Sequence, residues 1–243
     1  MSSMEDIKED TIADMQTELT RRENLIRNLA HEIRTPVTVI KGYAEGLAYL
    51  YPDNNRVQKY MATIVEECNH LHKMSKNMLA LCSIRGGVDS YERTKISTEA
   101  LFKEFQARIN NSIPYVDVRL HYDPTEITVN VFLVERAVYN LIANAIKHGD
   151  KDGQVIVSGE IRGDRYFFVV ENDGPEISKE DIDYIWDAFY KADKARRRSE
   201  SYGIGLAIVK ETALLHGGSV SALSENRHTT LAFSVSIDSE AAI

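Results

Sequence analysis

Long apolar runs, a cysteine framework and an excess of basic residues are all missing from this 243-residue sequence. No segment approaches the roughly 18 consecutive apolar residues of a membrane-spanning helix, and the N terminus lacks the basic-then-apolar order of a secretory signal. The net charge of −8 disfavours binding to nucleic acid, because proteins that bind it usually carry a basic surface. We therefore expect a soluble, cytoplasmic chain with no membrane insertion and no nucleic-acid partner.

The two cysteines, Cys68 and Cys82, exclude a disulfide framework. On one helix they would lie about 21 Å apart at 1.5 Å per residue, which is too far for a disulfide bond. We expect them to be small buried residues in a reducing compartment. The chain length favours two domains of modest size.

Apolar residues recur at three- and four-residue steps from Ile7 to about Leu50, which predicts one long amphipathic helix. The stretch YPDNN at 51–55 predicts a turn, and a second apolar series at heptad spacing runs from Val57 to Cys82. The sequence thus predicts a helical hairpin. Two narrow apolar stripes bury little surface alone, so we expect two hairpins to pair into a four-helix bundle in a homodimer.

A change of pattern follows the linker that begins near Gly86-Gly87. Strands are predicted at VDVRLHYD and ITVNV, and hairpins at GQVIVSGEIRGDRYFFVVEND and VSALSENRHTTLAFSVSI. Helices are predicted at FLVERAVYNLIANAIKHG, KEDIDYIWDAF and GIGLAIVKETALLHGG. This order predicts an α/β sandwich with helices on one face of a mixed sheet.

The stretch NLAHEIRTPVTVIKG, residues 28–42, places His31 and Glu32 one turn ahead of the helix-breaking pair Thr35-Pro36. A histidine on a solvated helix face is the simpler interpretation of this motif taken alone.

Asn140 and Asn144 stand one turn apart on a predicted helix, and their amide oxygens suit Mg²⁺ or phosphate-bound water. Taken alone, this motif favours two asparagines that bond to their own backbone.

Two glycine motifs complete the set. In VENDGPEI, Asn172 and Gly174 follow a strand, where they could bind a purine edge or simply end a hairpin. Gly203 and Gly205 precede an apolar helix whose N terminus could bind an anion, although such pairs also occur without a ligand.

Together and in this order, HEIRTP, NAIKHG, VENDGPEI, IWDAFYKADKAR and GIGLAIVKETALLHGG closely resemble the cytoplasmic core of bacterial two-component sensor histidine kinases. The similarity extends over nearly the whole chain. It implies an N-terminal helical extension at 1–20, a dimerisation and phosphotransfer domain at 21–86 and a linker at 87–92. It further implies a catalytic ATP-binding domain of the GHKL type at 93–238 and a tail at 239–243.

The resemblance implies that His31 is the phosphoacceptor and that Glu32 is the base that takes up its proton. An imidazole is a good nucleophile near pH 7, and a neighbouring carboxylate stabilises the cation that forms. Thr35 would position water for dephosphorylation of the response regulator, and Pro36 would bend the helix beside the reacting histidine.

The resemblance also implies ATP and Mg²⁺ as cofactors, with Asn144 as the magnesium ligand and Asn140 as a catalytic residue near the γ-phosphate. Lys194 and Arg197 belong to a loop, KADKARRRSE, that would close over the phosphates or remain a solvated loop. The nucleotide-binding residues implied in this way are Asn140, Asn144, Lys147, His148, Asn172, Gly174, Phe189, Tyr190, Lys194, Arg197, Gly203, Gly205 and Leu206.

Three positions depart from the family pattern: relatives usually have aspartate at Asn172, glycine at Glu176 and glycine at Ser201. The last glycine motif is also eroded at ENRHTT. Vancomycin-sensor-like kinases share part of this variation. Asparagine can still accept a hydrogen bond from the adenine amine, so we expect nucleotide binding with altered contacts.

The implied function is an ATP-dependent protein-histidine kinase that transfers phosphoryl from His31 to an aspartate of a response regulator, and that also dephosphorylates this partner. Its parent protein would be anchored in the bacterial membrane. One alternative is a GHKL-type ATPase, which needs a catalytic glutamate beside Asn140, whereas Glu135 lies more than one turn away. The other is a dimeric nucleotide-binding scaffold that acts mainly as a phosphatase, which the departures at Asn172 and Glu176 favour.

Overall fold

The computed structural model describes residues 33–85, 92–112, 117–151, 153–191 and 203–237. The chain divides into two compact units, Met1–Gly87 and Val88–Ile243, each of which is described by itself. Within the described residues, no helix combines the length and the hydropathy needed to cross a bilayer. The predicted domain boundaries stay predictions.

Two helices form the described part of the first unit: α1 over residues 33–50 and α2 over Asn55–Arg85. The Asn54 side chain accepts hydrogen bonds from the amides of Arg56 and Val57 and so caps α2, at 3.2 Å in both cases. The hairpin predicted from the sequence is confirmed. The predicted beginning of its first helix, including His31 and Glu32, lies outside the described residues, and the bend at Pro36 stays a prediction.

Burial on these helices is one-sided. Val37 and Ala44 on α1 are 6% and 3% exposed, and Cys68 and Cys82 on the predicted stripe of α2 are free and buried. By contrast, an apolar series on α1 spaced by seven residues is 41%, 52% and 42% exposed: Ile33, Ile40 and Leu47. A single hairpin therefore leaves this apolar series of α1 in contact with solvent.

The described strands of the second unit are β1 (Thr94–Ser97), β2 (Val118–Tyr122), β3 (Glu126–Val129), β4 (Val155–Arg162), β5 (Arg165–Asp173), β6 (Val220–Glu225) and β7 (His228–Ser236). Five of them form a sheet in the order β2-β4-β5-β7-β6. Strands β2 and β4 pair in parallel and the other neighbours pair antiparallel, so the predicted mixed sheet is confirmed. Strands β1 and β3 form a separate antiparallel pair.

The helices α3 (Thr98–Ser112), α4 (Val131–His148) and α5 (Gly205–Leu215) pack on one face of this sheet. Alternate residues of β5 face them, because side chains on a strand point to opposite sides in turn. Tyr166, Phe168 and Val170 are accordingly buried at 0%, 0% and 1% exposure. The predicted α/β sandwich is confirmed.

Sequence reasoning missed β1 and α3. The signal for α3 is present in TEALFKEFQARINNS, where Leu101, Phe102, Phe105 and Ile109 recur at helical spacing and are all buried. The side chain of Ser97 accepts a hydrogen bond from the amide of Ala100 at the start of this helix.

One predicted helix, KEDIDYIWDAF, is wrong. Residues 179–189 form successive turns. The carbonyl of Ser178 accepts from the amides of both Asp181 and Ile182, and the carbonyl of Asp181 accepts from both Tyr184 and Ile185. Bonds that converge on separate carbonyls close separate turns and do not propagate a continuous α-helix.

Candidate nucleotide site

Helix α4 carries the two asparagines of the candidate site. Asn130 caps it, since its side chain accepts a hydrogen bond from the amide of Leu133 at 2.9 Å. Asn140 and Asn144 are both half-buried and one turn apart. The amide nitrogen Nδ2 of Asn140 is buried without a hydrogen-bond partner in the described part of the chain. An orphaned buried donor of this kind suits a polar ligand.

The first turn of α5 lies beside Asn140. A β-carbon on Gly205 would approach Oδ1 of Asn140 to 3.4 Å. The N-cap residue Ile204 makes no side-chain cap hydrogen bond. The first amides of a helix have no partner within the helix, so this N terminus and the orphaned donor of Asn140 together form a region suited to anionic oxygens.

Gly203, two residues before α5, lies against the backbone of Phe189 and Tyr190. Its φ of +68° is a left-handed conformation, and an added β-carbon would lie 2.3 Å from the carbonyl oxygen of Tyr190. The amide of Phe189 donates to the carbonyl of Gly203 at 2.8 Å. Only glycine fits here. Lys194, Arg197 and Ser201 lie between these contacts in sequence and outside the described residues.

The aromatic pair Phe189-Tyr190 borders this contact. Phe189 is 48% exposed and has a positive φ of 70°. The hydroxyl of Tyr190 donates to the carboxylate of Asp181, and this hydrogen bond raises the pKa of Tyr190 to about 12. The ring of Tyr190 is therefore fixed on the turn segment, and its hydroxyl stays protonated at neutral pH.

The C-terminal end of α4 contacts the C-terminal end of β5. Asn172 is 6% exposed, and its Nδ2 donates to the carbonyl of Asp173 at 3.2 Å. A β-carbon on Gly174 would lie 2.7 Å from the carbonyl oxygen of His148, and one on Gly149 would lie 3.3 Å from Nδ2 of Asn172. Gly174 thus lets two backbone segments approach around Asn172. Gly149 was not predicted, although it directly follows α4 in the sequence.

The remaining described candidates lie on α4, α5 and α1. Lys147 and His148 are exposed on the last turn of α4, and Leu206 packs against the core from α5. Thr35 is exposed on α1, in the first unit. The structure therefore brings together Asn140 with Gly205, Gly203 with Phe189 and Tyr190, and Asn172 with Gly174.

Glu135, the residue relevant to a water-activating ATPase, is paired within the fold. It is 6% exposed, and its Oε2 lies 3.0 Å from Nη1 of Arg108 on α3. Burial raises the pKa of Glu135 above its usual range. This carboxylate is used in packing α3 against α4.

Acidic and histidine side chains do not form a metal cluster of three or more among the residues that the structure describes. Magnesium ions commonly bind through one or two protein oxygens together with substrate phosphates and water. The amide oxygen of Asn144 fits that description.

Two family models match the chain in tandem. The phosphoacceptor domain of histidine kinases matches residues 21–87, and the ATPase domain described as histidine kinase-, DNA gyrase B- and HSP90-like matches residues 128–240.

Several curated proteins and solved structures are similar. The sensor-like histidine kinase SenX3 of Mycobacterium tuberculosis is 28% identical over 82% of this chain and 50% of its own length. The sensor histidine kinase WalK of Bacillus subtilis is 27% identical over 88% of this chain and 36% of its own length. The chain thus spans half or less of the length of these two relatives.

The similar structures share the fold. Full-length ShkA in complex with AMPPNP has a TM-score of 0.72 at 22% identity, over 90% of this chain and 47% of that one. Histidine kinase ThkA in complex with the response regulator TrrA has a TM-score of 0.64 at 20% identity, over 97% and 67%. With both domain families present in the expected order, the chain belongs to the sensor histidine kinases.

Proposed function

We propose that the chain is the catalytic core of a sensor histidine kinase, which phosphorylates His31 from ATP and passes the phosphoryl group to an aspartate of a response regulator. The observation that carries this proposal is the orphaned Nδ2 of Asn140 beside Gly205 at the N terminus of α5, where the N-cap residue Ile204 makes no side-chain cap hydrogen bond. These groups can bind the phosphates, and Asn144 lies one turn further along the same helix.

The nucleotide base would bind at Asn172. The hydrogen bond from its Nδ2 to Asp173 uses the donor side of the amide and leaves Oδ1 as an acceptor. The adenine amino group is a donor and suits this oxygen. Asparagine can therefore take the place of the family's aspartate without a charge.

Mg²⁺ would be held by Asn144 and by phosphate oxygens, and it would neutralise the charge on the transferring phosphoryl group. The residues of this chain would position the phosphates of the nucleotide. Asn140 would donate to a phosphate oxygen, and the α5 amides would hold the oxygens of the neighbouring phosphates.

In the transfer step, a ring nitrogen of His31 attacks the γ-phosphorus. A nitrogen–phosphorus bond forms, the bond from the γ-phosphorus to the bridging oxygen breaks, and ADP leaves. Glu32 takes the imidazole proton. In the second transfer, an aspartate oxygen of the partner attacks the same phosphorus and His31 is the leaving group.

A homodimer would complete the first unit. Ile33, Ile40 and Leu47 recur every seven residues and are exposed in one hairpin. A second copy can bury this stripe in a four-helix bundle, because a heptad spacing keeps one face towards a partner helix. The response regulator is proposed as the second partner, since the similar kinase ThkA is described in complex with one.

Two alternatives are tested by the same experiment. The scaffold that acts mainly as a phosphatase draws support from Asn172 and Glu176, which depart from the family pattern. A GHKL-type ATPase is disfavoured because Glu135 already pairs with Arg108.

The experiment is incubation of the purified chain with γ-labelled ATP and Mg²⁺. Label on the protein that is labile in acid and stable in alkali identifies phosphohistidine and supports the kinase. Release of labelled phosphate without labelled protein would support the ATPase. Nucleotide binding with neither product would support the scaffold.

A further inference from the structure

The hairpin turn between β6 and β7 has an unusual second residue. Asn226 and Arg227 have φ angles of 52° and 60°, and the flanking residues Glu225 and His228 are paired. A two-residue turn of this kind favours glycine at its second position, because a β-carbon is strained in the left-handed conformation. Arginine persists here only if contacts around it stabilise the turn.

The backbone of Arg227 contacts the segment that follows β5 at two points. The amide of Gly174 donates to the carbonyl of Arg227 at 2.9 Å. The amide of Arg227 donates to Oε1 of Glu176 at 3.1 Å. Glu176 and the turn itself are two places where the sequence lacks the family's glycines, and these two departures contact each other.

The side chain of Arg227 contacts the segment that follows α4. Its Nη2 lies 3.0 Å and 2.9 Å from the two carboxylate oxygens of Asp150. The amide of Asp150 in turn donates to the carbonyl of Asp173 at 2.9 Å. Arg227 therefore connects the segment that follows α4 with the segment that follows β5.

Asn172 lies next to the segments that these contacts connect. Its Nδ2 bonds to Asp173, and its strand partner on β7 is Thr229, two residues after Arg227. Gly174 lies against the last turn of α4. Any shift of the turn would move both segments that border this side chain.

On this geometry, and resting on the function proposed above, we propose that Arg227 is a positioning residue for the base end of the nucleotide site. It holds the ends of α4 and β5 around Asn172 and so sets the affinity for the nucleotide. It does not touch the phosphates that react. Replacement of Arg227 should therefore lower the affinity for the nucleotide and leave the rate of phosphoryl transfer nearly unchanged.

The test uses the full chain with R227A, D150A and E176A, alone and in pairs, and measures KM for ATP, kcat of autophosphorylation and Kd for ADP. R227A should raise KM and Kd by about three- to tenfold, with kcat within about twofold of wild type. ADP and ATP should lose affinity equally, because the base end is common to both.

The pairs separate the two contacts of Arg227. R227A and D150A break the same ion pair, so the double variant should bind nucleotide no more weakly than the single variant with the lower affinity. E176A removes the acceptor of the backbone amide, which R227A retains, so these two effects should multiply. Independent effects of R227A and D150A would overturn the proposal.

Arg162 provides a matched control. It is an exposed arginine paired with Glu160 beside the β4–β5 turn, at the end of the sheet away from Asn172. R162A should leave KM unchanged. An equal rise of KM in R162A and R227A, or a fall of kcat without a change of KM, would overturn the positioning role. If the wild-type chain bound no nucleotide, the proposed function would fail first, and this inference with it.

Discussion

Replacement of His216 by alanine should destabilise the second unit strongly. His216 is 1% exposed, and both of its ring nitrogens are bonded. Nε2 accepts from the backbone amide of Asn130 at 2.9 Å, and Nδ1 donates to the carbonyl of Thr212 at 2.7 Å. The ring therefore ties the N-terminal cap of α4 to the last turn of α5.

The size of the effect follows from these contacts. H216A leaves the amide of Asn130 without its acceptor, which costs about 1–3 kcal/mol for a buried donor. The missing ring leaves a cavity that costs about 2 kcal/mol more. The sum, about 3–5 kcal/mol, is a large part of the roughly 5–15 kcal/mol that stabilises an ordinary domain.

Burial also lowers the pKa of His216 below its ordinary value, and the charge of Arg93 lowers it further. The native unit thus prefers the neutral ring. Its contribution to stability is fully present above the unfolded value near 6.5 and is lost as the pH falls towards the folded pKa. A protonated Nε2 would also place a second donor against the amide of Asn130.

Urea unfolding followed by the fluorescence of Trp186 measures both effects, since this single tryptophan is 7% exposed in the core of the second unit. H216A should lower the free energy of unfolding at pH 7.5 by about 3–5 kcal/mol. H216Q, which cannot titrate, should lose less stability than wild type between pH 7.5 and 5.5. A loss below about 1 kcal/mol in H216A, or the same acid-induced decline in H216Q and wild type, would refute the reasoning.

Three further predictions concern the proposed chemistry. E135Q should leave autophosphorylation within about twofold of wild type, because Glu135 is engaged in an ion pair with Arg108, and a large loss in the labelling assay would assign Glu135 a part in the phosphoryl transfer. N144A should lower autophosphorylation by about a hundredfold or more while the unfolding midpoint stays unchanged; normal turnover would assign the magnesium to another residue. T35A should keep autophosphorylation within several-fold while dephosphorylation of the response regulator falls by about ten- to a hundredfold, and a proportionate loss of both rates would exclude the role in positioning water.

Local patterns were sufficient for the elements that bury one regular face. In α4, apolar residues repeat at helical spacing, and β4 and β5 are runs rich in β-branched and aromatic residues joined at Gly163-Asp164, so both predictions were correct. The segment around Trp186 has a similar apolar content but forms turns. Its hydrogen bonds are decided by the contacts of Ser178 and Asp181, which a periodic pattern does not contain.

The candidate site was predictable as a set of motifs but not as a set of contacts. Asn140 was predicted on α4, and Gly205 at the start of α5. Their contact depends on how the two helices pack, which no local pattern encodes. The ion pair of Arg227 with Asp150 spans 77 positions in the sequence, and it was missed for the same reason.

The most direct test of the central claim is phosphorylation of the full chain with His31 replaced by glutamine. The labelling assay with γ-labelled ATP should give acid-labile, alkali-stable label on wild type and none on H31Q. Nucleotide affinity should stay within about twofold, because His31 belongs to the first unit and the nucleotide site to the second. Label of the same chemical stability retained on H31Q would contradict the assignment of the phosphoacceptor.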